Sequence, residues 1–299
     1  MKALVNRLIT LQLVALLLTA CAATPPPKHQ NLRAETDDLA MVTEWALTMA
    51  DTFGRENLLV VFDIDNTLLA MEQGLGSDQW YYWQKDLAEA QPCSDLLVPN
   101  RFAVQGAVFF ASAMRPTQAD AAEQLRAIQD AGIRVIAVTS RGTEYQLQTF
   151  RELRRHDMSF WPTSLPPRRG WPETFVPQGA ERPTLYQDGV FLTSGQHKGV
   201  MLDALLRMTG TPRPGIILIA DDKRENLEAM METFDGTGTS VHAWRYTRED
   251  ANVAAFDGDK AALQWRTLEP ALQVIQGTLG PDNFELPESS ELAGCPERQ

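Results

Sequence analysis

The chain has 299 residues, room for one large domain or for a core with an insert, and its 44% hydrophobic content is ordinary for a protein that buries a core. A formal net charge of -12 argues against a broad nucleic-acid or anionic-membrane surface, because phosphate backbones and headgroups would be repelled. The 4 histidines are scattered, with no metal-spaced His/Cys cluster, which argues against a zinc site.

Lys2 and Arg7 give a positive first segment, and Leu8 to Leu18 is apolar except for Thr10 and Gln12. That run is short for a transmembrane helix and reads as a signal peptide over 1–20. The Leu18-Thr19-Ala20-Cys21 that follows resembles a bacterial lipobox. The resemblance implies cleavage before Cys21, lipidation of its thiol and, with Ala22 rather than Asp next, an anchor in the outer membrane facing the periplasm. Ordinary secretion with a free Cys21 is the competing reading. Residues 21–34, with Pro25-Pro26-Pro27, read as a stiff tether. In an oxidising compartment the remaining Cys93 and Cys295 either pair or both stay free; sequence separation does not decide.

Thr36 before Asp37-Asp38 reads as a helix cap, and Leu39, Val42, Ala46, Met49 and Phe53 recur at helical spacing. Leu58 to Phe62 is an unbroken apolar run, the pattern of a strand buried on both faces, and it ends in Asp63-Ile64-Asp65-Asn66-Thr67. The stretch from Leu68 to about Arg115 exceeds what a crossover needs and is expected to hold an inserted unit over 71–115. Its Trp80, Tyr81, Tyr82 and Trp83 are expected chiefly to pack, with stacking on an aromatic leaving group as the sharper alternative.

Thr117 and Thr143 each begin a capping-box pattern, for a helix carrying Ala121, Leu125 and Ile128 and for one striped by Leu147, Phe150 and Leu153. Arg151, Arg154 and Arg155 suit a solvated helix end. Arg134 to Val138 is a second strand, running into Thr139-Ser140-Arg141. Asp188-Gly189 signals a hairpin between 184–187 and 190–193, one that could aim the loop from Gly195 to Gly199 at the active centre. Lys198 opens a helix through Met208; Gly215 to Ala220 is a third strand, running into Asp221-Asp222; Val241 to Tyr246 is a further strand. The helix from Lys260 to Ile275 is expected to kink or break at Pro270.

Two acids at the carboxyl end of a buried strand sit where open α/β sheets bind ligands, and their mutual repulsion invites a hard divalent cation. Taken singly, each motif has a plain alternative: Asp63 and Asp65 as caps or a solvated loop, Thr139 as a cap, Lys198 as a surface cation, Asp221 and Asp222 as caps, Arg141 as a solvent-facing side chain. In order, however, Asp63-x-Asp65-x-Thr67, Thr139-Ser140, Lys198 and Asp221-Asp222 resemble the four motifs of the haloacid dehalogenase superfamily. The resemblance spans about Leu58 to Asp222.

It implies an α/β fold: a Rossmann-like core of parallel sheet flanked by helices over 35–70 and 116–280, a small helical cap inserted between the first and second motifs at 71–115, and a peripheral tail at 281–299. It also implies a Mg2+-dependent phosphomonoester hydrolase acting on an extracytoplasmic small-molecule phosphate. Asp63 would be the nucleophile and Asp65 the general acid and base. Thr139, Ser140 and Lys198 would hold phosphate, with Arg141 a further candidate. Asp63, Asp65, Asp221 and Asp222 would supply the metal site, with either of the last two as the direct ligand. Lipoprotein acid phosphatases of the superfamily favour Glu where this chain has Asn66, so the likeness to that branch is incomplete. The competing class is a non-catalytic scaffold that binds a partner or a phosphorylated ligand.

Overall fold

In the computed structural model, residues 30–98 and 101–280 are described. Cys21, the lipobox, the signal stretch and the 281–299 tail lie outside them. Cys93 is disulfide-bonded, and the other two cysteines, Cys21 and Cys295, both lie outside the described residues.

The centre of the fold is β2 (Leu58–Phe62), buried at every position. It lies between β5 (Arg134–Thr139) and β8 (Ile216–Asp221), parallel to both. With β1 (Leu32–Thr36), β6 (Leu185–Gln187), β7 (Val190–Leu192) and β9 (Ser240–Tyr246) they form a seven-stranded sheet in the order β1-β9-β8-β2-β5-β7-β6. Only β6 runs antiparallel to its neighbour, through the hairpin at Asp188 (φ 45°) and Gly189 (φ 82°). The alternation of strand side chains divides the core in two. Leu58, Val60 and Phe62 face α1 (Leu39–Phe53), α4 (Ala121–Asp130) and α5 (Gln146–Arg155); Leu59 and Val61 face α6 (Lys198–Met208) and α7 (Arg224–Phe234). Both faces are covered, so the strands need no polar alternation. Gly199 lets α6 lie close to α7: a Cβ there would collide with the Ala229 carbonyl and the Thr233 side chain. This is an α/β, Rossmann-like architecture.

The crossover from β2 to β5 is interrupted by an antiparallel neck, β3 (Leu69–Met71) against β4 (Met114–Pro116). Between them lie α2 (Asp78–Ala90) and α3 (Arg101–Ala111). Trp80, fully buried, packs with Leu75, Val104 and Val108. The helix α9 (Gly258–Leu279), expected in the core, instead adds Ala261, Trp265 and Leu272 to this cluster. It reaches the insert after the short α8 (Asp250–Ala254), and it continues through Pro270 without a break. Arg115 in the neck pairs with both oxygens of Glu249 at 2.8 Å, which ties the insert's base to the segment before α8.

Several local expectations are corrected. The tether gives way at Leu32 to the edge strand β1, whose half-buried alternation pairs it with β9; Thr36 ends that strand, and Asp38 caps α1 by accepting from Ala40 N at 2.9 Å. Neither capping box forms. Thr117 Oγ1 donates to the Thr67 carbonyl at 2.6 Å, and a 3-10 turn over Thr143–Tyr145 precedes α5. Leu147 is 74% exposed, so the buried stripe of α5 is Thr149, Glu152 and Leu153. Arg151 is not a solvated end group: it pairs with Glu152 and donates to the carbonyls of Phe109, Phe110 and Ser112, closing the end of α3.

Candidate functional site

Asp63 leaves β2 with its N–H still donating to the Ala220 carbonyl at 2.9 Å, so the sheet ladder fixes where its side chain emerges. Its carboxylate is buried, and Lys198 Nζ, at the first residue of α6, reaches Asp63 Oδ1 at 2.8 Å and Asp221 Oδ2 at 2.6 Å. A lysine at a helix amino terminus opposes the helix dipole. Here two buried carboxylates offset that penalty, and they hold Lys198 charged: burial lowers its pKa, but the charges of Asp221 and Asp63 raise it further. The loop after β7 directs α6 to this point, through Thr193 N to Thr139 O and Gly195 N to Ser140 O at 3.0 and 2.7 Å.

The two acids after β8 differ in their bonding. Asp221 is well supplied with donors: besides Lys198 it accepts from Lys223 N and Asn226 Nδ2, both at 2.9 Å. Asp222 Oδ1 is buried with no hydrogen-bond partner, and Oδ2 receives only a long contact from Asn66 Nδ2 at 3.5 Å. Asn66 is placed for it by a left-handed backbone (φ 56°), which asparagine tolerates. Asp63, Asp221 and Asp222 each bring one oxygen within 4.8 Å of the others. A buried acceptor without a donor is costly, and hard oxygen ligands suit a hard divalent cation. The three residues therefore fit such an ion, with the least committed oxygen on Asp222 and with Asp221 engaged by Lys198. Burial, and then the charges of Asp221 and Asp65, push the Asp63 carboxyl up to about 7 against the pull of Lys198. Burial followed by Asp221 and Asp63 raises Asp222 well above the usual carboxylate range.

Asp65 behaves differently. Burial pushes it up, but Arg141, joined by the charges of Lys223 and Lys198, outweighs burial and brings the group below its ordinary value. Arg141 grips both Asp65 oxygens at 2.9 Å and is itself buried, so it is neither a solvent-facing cation nor free to hold a phosphate. Thr139 stands at the end of β5, two residues beyond Ala137, which pairs with Phe62; its hydroxyl accepts from Arg141 N at 3.3 Å. Ser140 follows it and is exposed.

Two residues at the site, Lys223 and Asp78, gave no signal in the sequence. Lys223, next to Asp222, pairs with Asp78 on the first turn of α2 at 2.7 Å and lies 3.6 Å from the centre of the Tyr82 ring, joining the insert to the loop after β8. Asp78 after Ser77 reads locally as an ordinary first-turn acid, and a pairing partner 145 residues away leaves no periodic trace. Of the aromatic cluster, Trp80 and Trp83 pack as expected, while Tyr82 turns to Lys223.

The fold and site define a Rossmann-like α/β protein with a lysine-bridged carboxylate centre at the carboxyl edge of its sheet, beneath a helical insert. The chain belongs to the family described as "Protein of unknown function (DUF2608)", which it matches over residues 37–275, a span holding the insert and all of the centre. No curated protein matches the chain.

Proposed function

We propose that the protein is a Mg2+-dependent phosphomonoester hydrolase that works through an aspartyl-phosphate at Asp63 and belongs to the haloacid dehalogenase superfamily. One observation carries this reading. Lys198 bridges Asp63 and Asp221 at 2.8 and 2.6 Å, while Asp222 keeps a buried oxygen unpaired beside them. A scaffold gains nothing from such clustered like charges, whereas phosphoryl transfer needs a fixed nucleophile and a concentrated positive counter-charge. Asp63, Asp222 and the Asp65 backbone carbonyl would hold Mg2+, which when bound neutralises phosphoryl oxygens and the carboxylates' mutual repulsion.

Asp63 Oδ attacks phosphorus as the bond from phosphorus to the leaving oxygen breaks, and Asp65 gives its proton to that oxygen. Asp65 then takes a proton from water, whose oxygen bonds to phosphorus and releases Asp63 and inorganic phosphate. Lys198 keeps the nucleophile's carboxylate oriented, and Thr139 and Ser140 would donate to the transferring group. The lipobox at Cys21 supports an extracytoplasmic, membrane-anchored location, and with it a small-molecule phosphate as substrate rather than nucleic acid.

The test is hydrolysis of an aryl phosphate by purified protein with Mg2+ and with chelator. Turnover is expected with the ion alone, and Asp63→Asn abolishes it. Binding of phosphorylated ligands with no hydrolysis across a broad monoester panel would replace this reading with the scaffold.

A further inference from the structure

The Arg141 guanidinium has each of its edges engaged. Nε and Nη2 donate to the two oxygens of Asp65, Nη1 donates to Thr149 Oγ1 at 2.9 Å, Nη2 also meets Met114 Sδ at 3.1 Å, and the flat face lies 4.4 Å from the centre of the Phe109 ring. The side chain is 7% exposed, whereas that of Asp65 is 28% exposed, so the acid faces the opening and the arginine stands behind it. The supports come from three elements: Thr149 from α5, Met114 from β4, and Phe109 from the insert helix α3. They are themselves fixed. Thr149 Oγ1 bonds the Tyr145 carbonyl at 2.7 Å, and Met114 N donates to the buried Glu152 at 2.8 Å.

We propose that Arg141 is a positioning residue for leaving-group protonation: it aims Asp65 at the leaving oxygen, with Thr149, Met114 and Phe109 holding it in place. The inference rests on the phosphomonoesterase reading. A side chain as short as Asp65, on a loop beside the left-handed Asn66, would otherwise sample several rotamers; a bidentate guanidinium fixes the plane of the carboxylate as well as its direction. The fork favours the ionised form of Asp65, but each carboxylate oxygen keeps a second lone pair on its open side, where a proton taken up is then readily passed to the leaving oxygen. As the bond between phosphorus and the alcohol oxygen breaks and that from Asp63 forms, the proton on Asp65 passes to the alcohol oxygen, and water later returns one. A direct phosphate-binding role would require Arg141 to abandon Asp65 and three further contacts. The supports from α3 and β4 also give the insert a part in the chemistry without touching the substrate.

A residue that acts only through the general acid should matter most where the leaving group needs a proton. The experiment compares wild type, Arg141→Ala, Arg141→Lys and Thr149→Val on 4-nitrophenyl phosphate, whose phenolate leaves unaided, and on glycerol 2-phosphate, an alkyl ester. Both arginine variants should lose at least about tenfold more kcat on the alkyl ester than on the aryl ester, as general-acid contributions of this kind imply. Lysine fails like alanine because an ammonium cannot form the fork. Thr149→Val, which removes one support and leaves the Arg141–Asp65 pair intact, shows the same bias to a smaller degree and decides the matter if the arginine variants do not fold. Equal losses on the two esters, or a larger loss on the aryl ester, overturn the positioning role while leaving the hydrolase in place. A wild-type protein inactive on both would instead remove the phosphomonoesterase reading and this inference with it.

Discussion

Asp221 and Asp222 are adjacent and chemically identical, yet the structure gives their asparagine variants opposite consequences. Asp222 Oδ1 is buried without a donor. Burial and the charges of Asp221 and Asp63 disfavour its ionised form, so Asp222→Asn, which removes that charge, should leave the chelator-treated protein as stable as wild type or up to about 2 kcal/mol more stable. Asp221 is one of two carboxylates on a lysine that is 1% exposed, and it accepts two further hydrogen bonds. Asp221→Asn should cost about 3–5 kcal/mol, the range for breaking a buried ion pair. With Mg2+ the contrast changes. At an ion concentration about a hundredfold above its dissociation constant, wild type gains about 2.7 kcal/mol. For a protein of this size that is a rise of about 5–10 °C in melting temperature. Asp222→Asn should abolish that rise; Asp221→Asn should retain much of it on a lower baseline. Thermal and urea unfolding with chelator and with Mg2+, at about pH 8 where the raised carboxyl of Asp63 is ionised, measures all of these values. An Asp222→Asn protein that is destabilised in chelator and still gains the wild-type increment from Mg2+ would refute the assignment of Asp222 as the direct ligand.

Lys198→Met leaves Asp63 and Asp221 buried with no cation between them, and urea unfolding should show a loss of about 3–5 kcal/mol. The pH dependence follows from Asp63. Its folded pKa of about 7 lies above the ordinary 3.8, so the metal-free folded protein binds more protons than the unfolded chain between those values, and its stability falls as pH rises through that window. Ion binding needs both carboxylates, so stabilisation by Mg2+ should grow across the same window, and the raised Asp222 extends that growth upward; melting temperatures measured over pH with and without the ion test this. Cys21→Ser should move the protein from the membrane fraction to the soluble fraction on cell fractionation, and a wild-type protein already soluble after processing would contradict the anchor.

The strands of the sheet's centre were legible because burial on both faces leaves continuous apolar runs. The motif order then indicated which strand ends matter, and the structure brings Asp63, Lys198 and Asp221 into direct contact. Edge strand β1 was hidden because five residues with one half-covered face resemble a polar linker beside a proline run. Leu147 matched a helical stripe, but the stripe that α5 buries is set by which face meets the sheet, and a buried Glu152 occupies it because it serves Met114 N and Arg151. Thr117 had a local capping pattern and a better partner 50 residues away in the Thr67 carbonyl. Arg141 could not be placed from its neighbours: its partners on β4, α3, α5 and the Asp65 loop meet only when the insert's base folds back onto the core. The same holds for α9, whose apolar residues read equally well against a sheet or an insert.

Chemical quenching of a single turnover with 32P-labelled aryl phosphate tests the nucleophile most directly. Attack by Asp63 predicts a Mg2+-dependent, hydroxylamine-labile label on the peptide containing Asp63, absent from Asp63→Asn. Release of labelled phosphate with no protein-bound label, at an undiminished rate in Asp63→Asn, would contradict it.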